Sequence, residues 1–323
     1  MKPGKKSPAR KGAASLAAAT RIVAEDAGDS RTAMTVNKSL LRELPLPAID
    51  GDADKESRGR VLVIGGSASV PGAMLLSGVA ALRAGAGKLQ LATVRDAAIP
   101  LGFAVPESMV IALPQGRDGE IVGARVADRL HPHVANAHAV LVGPGMMSDA
   151  QAYSLIRAIV PALGAGAILV LDGIAVVALR HDRCLLHPLG GRAVLTPHSG
   201  EMASLLDIGR TQVERDAQRL ACRSARDLGA TVALKGSETW IAEHRGQCLH
   251  FDGGTVGLGT SGSGDTLAGI VAGLAARGAS PLAASAWGVW AHGMAGQALA
   301  RRTARVGFLA RELLAEVPAL VGE

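Results

Sequence analysis

Short apolar segments alternate with helical patterns from Arg60 to the end of the chain, and this alternation restricts the fold more than any other feature. The first segment, residues 61–64, runs into Gly65 and Gly66, which is typical of a buried strand. Further strands are predicted at residues 89–94, 109–113, 139–142, 168–171, 193–195, 231–234 and 239–242. Helices are predicted at residues 73–85, 124–130, 150–163, 201–206, 211–228, 265–277, 282–302 and 309–317. This pattern predicts an α/β fold, a three-layer αβα arrangement whose mostly parallel central sheet is covered by helices on both faces.

The N-terminal segment differs in composition from the rest of the chain. Residues 1–43 are rich in Lys, Ala and Ser and contain no strong strand pattern, so we expect a flexible basic tail before one domain that spans residues 44–323. The first 35 residues carry +4 of the formal net charge of +6, which leaves the remainder nearly neutral. With 48% hydrophobic residues, that remainder can bury a large core.

Several classes of protein are disfavoured by composition. A nearly neutral domain with 2% aromatic residues argues against nucleic-acid partners. The chain contains no uncharged apolar run long enough to span a bilayer, so we expect no membrane association. Its three cysteines are widely spaced and form no CxxC pair, which argues against a disulfide framework or a zinc site. These features favour a cytoplasmic protein that acts on small molecules.

The most specific motif is the run GLGTSGSGDTLAG at residues 257–269. Glycines allow close approach to a ligand, and the free N–H groups at the start of the following helix bind anions. The run resembles a Walker A loop in which Asp265 replaces the lysine. A carboxylate at that position would repel phosphate unless it acts as a base or helps to hold a metal ion. The alternative interpretation is that Asp265 only caps the helix.

Polar residues follow five of the predicted strands. Because ligands bind at the carboxyl ends of parallel strands, these residues and the glycine-rich loop predict one composite site. His198 either hydrogen-bonds a substrate or belongs to a simple turn, and Lys235 either approaches a phosphate or is a solvated lysine at a hairpin. Asp172 either holds a metal ion or caps the next helix. The five polar segments are residues 65–67, 143–145, Asp172, 196–201 and 235–237.

Aromatic and sulfur side chains recur in the predicted helix at residues 282–302. Trp287, Trp290 and Met294 lie at positions i, i+3 and i+7, a spacing that favours helix packing over a ligand stack. His292 lies among them and has no evident partner in the sequence.

Five segments in the same order resemble the ADP/ATP-dependent NAD(P)H-hydrate dehydratases, a carbohydrate-kinase-like family of metabolite-repair enzymes. They are VIGGSASVPGAMLLSGVAALRAGA at 63–86, VGPG at 142–145, LTPHSGEMASLL at 195–206, LKGSET at 234–239 and GLGTSGSGDTLAGIVAG at 257–273. The resemblance extends from about Arg60 to Ala315. It implies a ribokinase-like fold.

The resemblance also implies an activity. Such lyases phosphorylate the ring hydroxyl of hydrated NADH or NADPH (NADHX and NADPHX) from ADP or ATP with Mg²⁺, and phosphate then leaves to restore the double bond. For this chain we expect ADP, which becomes AMP, and (S)-NAD(P)H hydrate as substrate. The alternative is a kinase of the same fold that phosphorylates a small alcohol, such as a vitamin precursor, and releases a stable ester.

Roles for individual residues follow from the resemblance. Asp265 would be the catalytic base, and an anion hole would be formed by Gly262, Ser263 and Gly264. The nucleotide would contact Lys235, Gly236, Ser237, Glu238, Thr239 and Gly264. The hydrated dinucleotide would contact Ala73, Gly145, His198 and Asp265. Metal ligands are not predicted.

Two of the chain's departures from the family pattern bear on cofactors and partners. The usual Leu-Asp-Ala-Asp sequence at one strand end is Leu171-Asp172-Gly173-Ile174 here, so its second acid is missing, which argues against a metal role for this loop. Many bacterial members also carry an N-terminal epimerase domain, for which about 45 residues are too few. We therefore expect a separate epimerase chain. The family further implies a homo-oligomer, with a tetramer as the expected form.

Overall fold

The computed structural model describes residues 33–49 and 54–322. A ten-stranded sheet crosses the domain in the order β1-β10-β9-β8-β7-β6-β5-β2-β3-β4. β9 pairs antiparallel with both β8 and β10, and all other neighbours are parallel. The strands are β1 Met34–Thr35, β2 Arg60–Ile64, β3 Lys88–Val94, β4 Ser108–Leu113, β5 Ala139–Val142, β6 Ile168–Leu171, β7 Ala193–Leu195, β8 Thr231–Leu234, β9 Thr239–Ala242 and β10 Cys248–Phe251.

Helices cover both faces of this sheet, which confirms the predicted α/β class. They are α1 Lys38–Glu43, α2 Gly72–Arg83, α3 Arg95–Ala104, α4 Ala127–Ala135, α5 Asp149–Ile159, α6 Ile174–Val177, α7 Ser199–Leu206, α8 Arg210–Arg215, α9 Ala217–Leu228, α10 Ser263–Ala276, α11 Pro281–Arg302 and α12 Ala310–Val321. Short 3₁₀ turns occur at Gly123–Arg125, Val160–Ala162, Ala178–Arg180, His187–Leu189 and Val256–Leu258. In the part of the chain that the structure describes, every helix is too short or too polar to cross a lipid bilayer.

The core consists of two apolar layers, one on each face of the sheet. Alternate residues of β2 enter different layers, because successive side chains of a strand point to opposite faces. Val61 and Val63 join the layer formed with α2, α10, α11 and α12, while Leu62 and Ile64 join the layer formed with α4, α5, α7 and α9. Burial on both faces explains why the central strands are uninterrupted apolar runs.

Helix α10 packs unusually close to α2, and glycines make this approach possible. A Cβ atom at Gly269 would lie 2.2 Å from the Ser77 carbonyl oxygen, and one at Gly273 would lie 2.5 Å from that of Ala81. Any side chain at these two positions would separate the helices. Helix α10 begins at the glycine-rich loop, so its contact with α2 fixes where that loop lies.

Some elements differ from the prediction. The helix predicted at residues 211–228 is interrupted at Asp216, whose carboxylate accepts hydrogen bonds from Arg215 and Arg219. Helix α3 was not predicted; it contains a proline and lacks a side-chain cap, so its local signal is weak. Strands β1 and β10 were also not predicted, because both are short and polar residues interrupt their apolar pattern.

Residues 34–43 were predicted to be part of a tail, but the structure places them in the domain. β1 pairs with β10, and Leu40 and Leu41 of α1 are buried in the core. Asn37 caps α1 by accepting hydrogen bonds from two backbone N–H groups. Trp287 also donates a hydrogen bond of 2.7 Å to the Leu44 carbonyl oxygen. The boundary expected at residue 44 therefore shifts toward the N-terminus; the rest of the predicted tail, residues 1–32, lies outside the described residues.

Candidate active site

Helix α10 begins with backbone N–H groups that no side chain caps. Gly262 is the N-cap residue, with φ of +86°, and makes no side-chain cap hydrogen bond. Ser263, Gly264 and Asp265 form the first turn. Asp265 is therefore not the N-cap, and the interpretation that it only caps the helix is wrong. The Ser263 N–H donates to the Thr260 carbonyl oxygen at 3.2 Å. The Gly264 N–H and the positive end of the helix dipole make this turn suited to bind an anion.

Lys235 follows β8 and reaches this turn. Its backbone N–H donates to the Pro197 carbonyl oxygen at 2.8 Å, and its Nζ donates to Asp172 Oδ1 at 2.9 Å. A Cβ atom at Gly264 would lie 3.2 Å from Nζ, so the ammonium group is close to the start of α10. The side chain is only 18% exposed, which excludes the alternative of a solvated lysine at a hairpin.

Asp172 connects three neighbouring strand ends. It follows β6, it accepts a hydrogen bond of 2.6 Å from Thr196 Oγ1 after β7, and it pairs with Lys235 after β8. The next helix has Gly173 as its N-cap and no side-chain cap, so Asp172 does not cap it. The sequence analysis placed Thr196 in a polar segment after a strand but gave it no individual role; the structure makes it a hydrogen-bond partner of Asp172.

His198 and Glu201 form a reciprocal cap at the start of α7. His198 Nδ1 accepts hydrogen bonds from the N–H groups of Gly200 and Glu201, at 2.9 and 3.2 Å, while Glu201 Oε2 accepts from the His198 N–H at 2.8 Å. Because Nδ1 is an acceptor, the neutral ring carries its proton on Nε2, which lies 3.1 Å from Glu201 Oε1. The His198 side chain is 57% exposed and remains accessible to a ligand.

Three carboxylates and one ammonium group shape the electrostatics of this site. Burial, and then the charge of Asp172, raise the pKa of Asp265 to about 6 although Lys235 opposes the rise. Burial likewise raises the pKa of Glu201 to about 7 against the opposing effect of Lys235. Burial by itself would lower the pKa of Lys235. The nearby carboxylates, of which Asp172 has the largest effect, outweigh burial and raise this pKa. The cluster therefore holds one cation, Lys235, and two carboxyl groups, those of Asp265 and Glu201, that titrate near neutral pH.

The other predicted site residues lie in two places. Gly236, Ser237 and Glu238 form an exposed turn between β8 and β9, and Thr239 begins β9. Glu238 contacts His250 of β10 through a carboxylate-to-imidazole distance of 2.9 Å.

Ala73 and Gly145 lie next to each other. A Cβ atom at Gly145 would lie 3.1 Å from the Ala73 Cβ, so the loop after β5 touches the first turn of α2. One turn further along α2, Leu76 Cδ1 lies 2.4 Å from where a Cβ atom of Gly262 would be. Helix α2 therefore connects the Ala73–Gly145 contact to the start of α10.

One site contact had no signal in the sequence. His292 of α11 lies 2.8 Å from Ser263 Oγ, measured from its Nε2 atom. The two residues are far apart in the chain, and only the packing of α11 against α10 brings them together.

Comparison with known proteins identifies the family. The family model described as NAD(P)H-hydrate dehydratase matches residues 61–319, which is most of the chain. The chain belongs to the NAD(P)H-hydrate dehydratase family. It is 47% identical over 289 residues to the ADP-dependent (S)-NAD(P)H-hydrate dehydratase of Xanthomonas campestris pv. campestris, which covers 89% of this chain and 96% of that relative.

Two further comparisons bear on architecture. The chain is 36% identical over 273 residues to the bifunctional NAD(P)H-hydrate repair enzyme Nnr of Moorella thermoacetica, covering 84% of this chain and 51% of that relative. It thus spans about half the length of this bifunctional family member. The crystal structure of a ribokinase-like superfamily protein from Enterococcus faecalis V583 superposes with a TM-score of 0.77 at 28% identity, covering 92% of this chain and 98% of that one. The predicted ribokinase-like fold is confirmed.

Proposed function

We propose that this member of the family restores NADH and NADPH from their (S)-hydrates and uses ADP as phosphoryl donor. The ring hydroxyl attacks the terminal phosphoryl group of ADP, AMP leaves, and loss of phosphate from the ring then restores the double bond. The products are NAD(P)H, AMP and phosphate. The observation that carries this proposal is the Asp265 carboxyl group, which lies in the first turn of α10 with a pKa of about 6.

Asp265 is proposed as the general base. A base works best when its pKa lies near the working pH, because it is then mostly deprotonated yet still basic enough to accept a proton. An exposed aspartate, with an ordinary pKa of 3.8, is a weaker base. Burial and the Asp172 charge bring Asp265 into the useful range. Its carboxylate would take the hydroxyl proton as the oxygen attacks phosphorus.

The phosphate groups of ADP would lie at the start of α10. The N–H groups of Gly262, Ser263 and Gly264 would form the anion hole, with the Ser263 N–H exchanging its contact with the Thr260 carbonyl oxygen for a phosphate oxygen. The Lys235 ammonium group lies beside the same turn. Asp172 holds Lys235 by a hydrogen bond of 2.9 Å. In this arrangement the positive charge needed in the transition state is in place before ADP binds.

Mg²⁺ is compatible with the residues present. Among residues 33–49 and 54–322, no group of three or more His, Cys, Asp or Glu side chains could hold a metal ion. Mg²⁺ does not need such a group, because it is commonly held by one or two carboxylates together with phosphate oxygens and water. Asp172 and Glu201, together with Asp265, are the carboxylates whose charges act on Lys235 beside the proposed phosphate site. The bound ion would neutralise charge on the phosphate oxygens.

The two substrates are proposed to enter from opposite sides of Asp265. The nucleotide would contact the exposed turn Gly236, Ser237 and Glu238 together with Lys235, Thr239 and Gly264. The hydrated dinucleotide would contact Ala73, Gly145 and His198. Neutral His198 carries its one ring proton on Nε2, 3.1 Å from Glu201 Oε1, and a hydrogen bond to the dinucleotide would replace this contact. Its exposure of 57% leaves room for this contact.

A homo-oligomer is also proposed, with a tetramer as its expected form. Ile99, Phe103 and Met109 are 73%, 85% and 52% exposed on α3 and on the edge strand β4. A second copy that covers this apolar surface would remove it from water. Light scattering should then give a mass above that of one chain, and Phe103→Glu should reduce it. A cytoplasmic location is likewise proposed.

The test is recovery of NADH absorbance when purified protein receives hydrated NADH, Mg²⁺ and either ADP or ATP. Recovery that requires nucleotide, with AMP and phosphate formed in equal amounts from ADP, supports the proposal. Recovery with ATP alone overturns the choice of donor. If neither nucleotide restores absorbance while a small alcohol is phosphorylated to a stable ester, the chain is a kinase of the same fold.

A further inference from the structure

His292 is a titratable side chain that no step of the proposed mechanism uses. It lies on α11, and its Nε2 atom is 2.8 Å from Oγ of Ser263, the first residue of α10. Ser263 is buried, with 4% of its surface exposed. The Ser263 side chain therefore points into the protein toward α11, and its backbone belongs to the turn proposed to bind phosphate.

The segment that leads into α10 has one short 3₁₀ turn, Val256–Leu258, and is rich in glycine. It contains Gly257, Gly259 and Gly262, and glycine has more conformational freedom than any other residue. The N-cap Gly262 has no side chain, so the usual cap hydrogen bond is missing. The Ser263–His292 hydrogen bond connects the end of this segment to α11, a helix of 22 residues.

The hydrogen bond joins two neutral groups. Burial, and then the positive charge of Lys235, lower the pKa of His292 to about 4, against a smaller opposing effect of a hydrogen bond with the Ser263 backbone. A neutral imidazole at this position adds no charge beside the proposed phosphate site. Its contribution is therefore one of geometry.

We propose that His292 is a positioning residue: through Ser263 Oγ it holds the first turn of α10 so that the Gly264 N–H group, beside the Lys235 ammonium group, points at the transferring phosphoryl group. The inference rests on the proposed function. Donors that are fixed before the reaction stabilise developing charge without reorganisation, and a displacement of about 1 Å can reduce a rate by about 100-fold. Loss of the Ser263–His292 hydrogen bond should lower kcat more than it weakens ADP binding. Bound ADP in the ground state tolerates misplaced hydrogen-bond donors better than the transition state does.

The test is a double-mutant cycle with His292→Leu, Ser263→Ala and the two together. Each single variant should reduce kcat about 10- to 100-fold, while the ADP dissociation constant measured by calorimetry rises less than about 3-fold. The double variant should be no slower than either single variant, because all three lack the same hydrogen bond. His292→Gln, which keeps a polar group on a flexible chain, should recover part of kcat.

Trp287→Phe is the matched control. It removes the hydrogen bond that Trp287 donates to the Leu44 carbonyl oxygen from the same helix, away from the proposed site. It should lower the melting temperature while kcat stays near the wild-type value. If His292→Leu does not fold, Ser263→Ala and His292→Gln still measure the effect of losing the Ser263–His292 hydrogen bond.

Three results would overturn the inference. They are losses that multiply in the double variant, an unchanged kcat in Ser263→Ala, and a loss of stability in His292→Leu without a fall in kcat. The proposed function fails separately, because in that case the wild-type protein itself does not restore NADH. ADP calorimetry is independent of turnover and reports on the binding site in either case.

Discussion

Asp265→Asn should stabilise the folded protein at pH 8 while it removes activity. In the fold the carboxyl group has a pKa of about 6, raised from an ordinary value of 3.8 by burial and then by Asp172. A raised pKa means that the ionised carboxylate is less favourable in the folded than in the unfolded protein. At about 1.4 kcal/mol per pKa unit, the cost at pH 8 is about 2 to 3 kcal/mol.

The sign and the pH window follow from the same pKa values. The folded state binds the extra proton, so the stability that this carboxyl group contributes is fully present below about pH 4 and is lost as pH rises through about 6. Asparagine carries no charge at any pH. The variant should therefore gain stability at pH 8, about 4 to 6 °C in melting temperature for a domain of this size, and most of the gain should disappear near pH 4.

The assay is thermal unfolding of both proteins at pH 4, 6 and 8, with NADH recovery measured alongside. Turnover should fall by about 10² to 10⁴, the usual contribution of a general base. Asp216→Asn is the matched control: hydrogen bonds from Arg215 and Arg219 lower the pKa of that carboxyl group, so removing its charge should not stabilise the protein at pH 8. A lower melting temperature of Asp265→Asn at pH 8, or a gain of equal size at all three pH values, would refute the reasoning.

Three further predictions concern the same site. Lys235→Met should weaken ADP binding more than binding of the hydrated dinucleotide, because its ammonium group lies beside the start of α10; equal weakening in calorimetry contradicts two separate subsites. In Gly262→Ala the new Cβ atom would lie 2.4 Å from Leu76 Cδ1 at a φ of +86°. It should cost about 1 to 3 kcal/mol in urea unfolding and weaken ADP binding, and unchanged ADP affinity would argue against an anion hole at this turn. The wild-type kcat/KM should rise with pH and level off above about pH 6, where Asp265 becomes ionised; a flat profile from pH 5 to 8 contradicts its role as base.

The sequence alone predicted most of the architecture. Buried parallel strands are continuous apolar runs, and amphipathic helices repeat their apolar positions every three to four residues, so both appear in local patterns. The strands around the site, β5 to β9, were predicted within a residue of their observed ends. The polar residues after β6, β7 and β8 were predicted to meet because parallel strands end at one edge. The contact of Lys235 with Asp172 bears this out.

The charges at the site were decided only by the tertiary structure. Asp172 and Lys235 are separated by 63 residues, and no local pattern reveals that their side chains pair. The pKa of Asp265 depends on how deeply the start of α10 is buried and on which charges face it. Burial and facing charge are properties of packing, and the sequence around Asp265 contains neither.

The Ser263–His292 hydrogen bond also separates what the local sequence predicts from what only tertiary packing decides. The sequence placed His292 inside a helix, which is correct, and Ser263 two residues before a helix predicted to begin at Asp265, whereas the structure begins that helix at Ser263. It gave His292 no partner, because 29 residues separate the two side chains. Helix periodicity and strand ends depend on residues that are close together in the chain, so they can be predicted from the sequence. Contacts between distant helices depend on close packing such as that of Gly269 against Ser77, and only the folded chain brings them together.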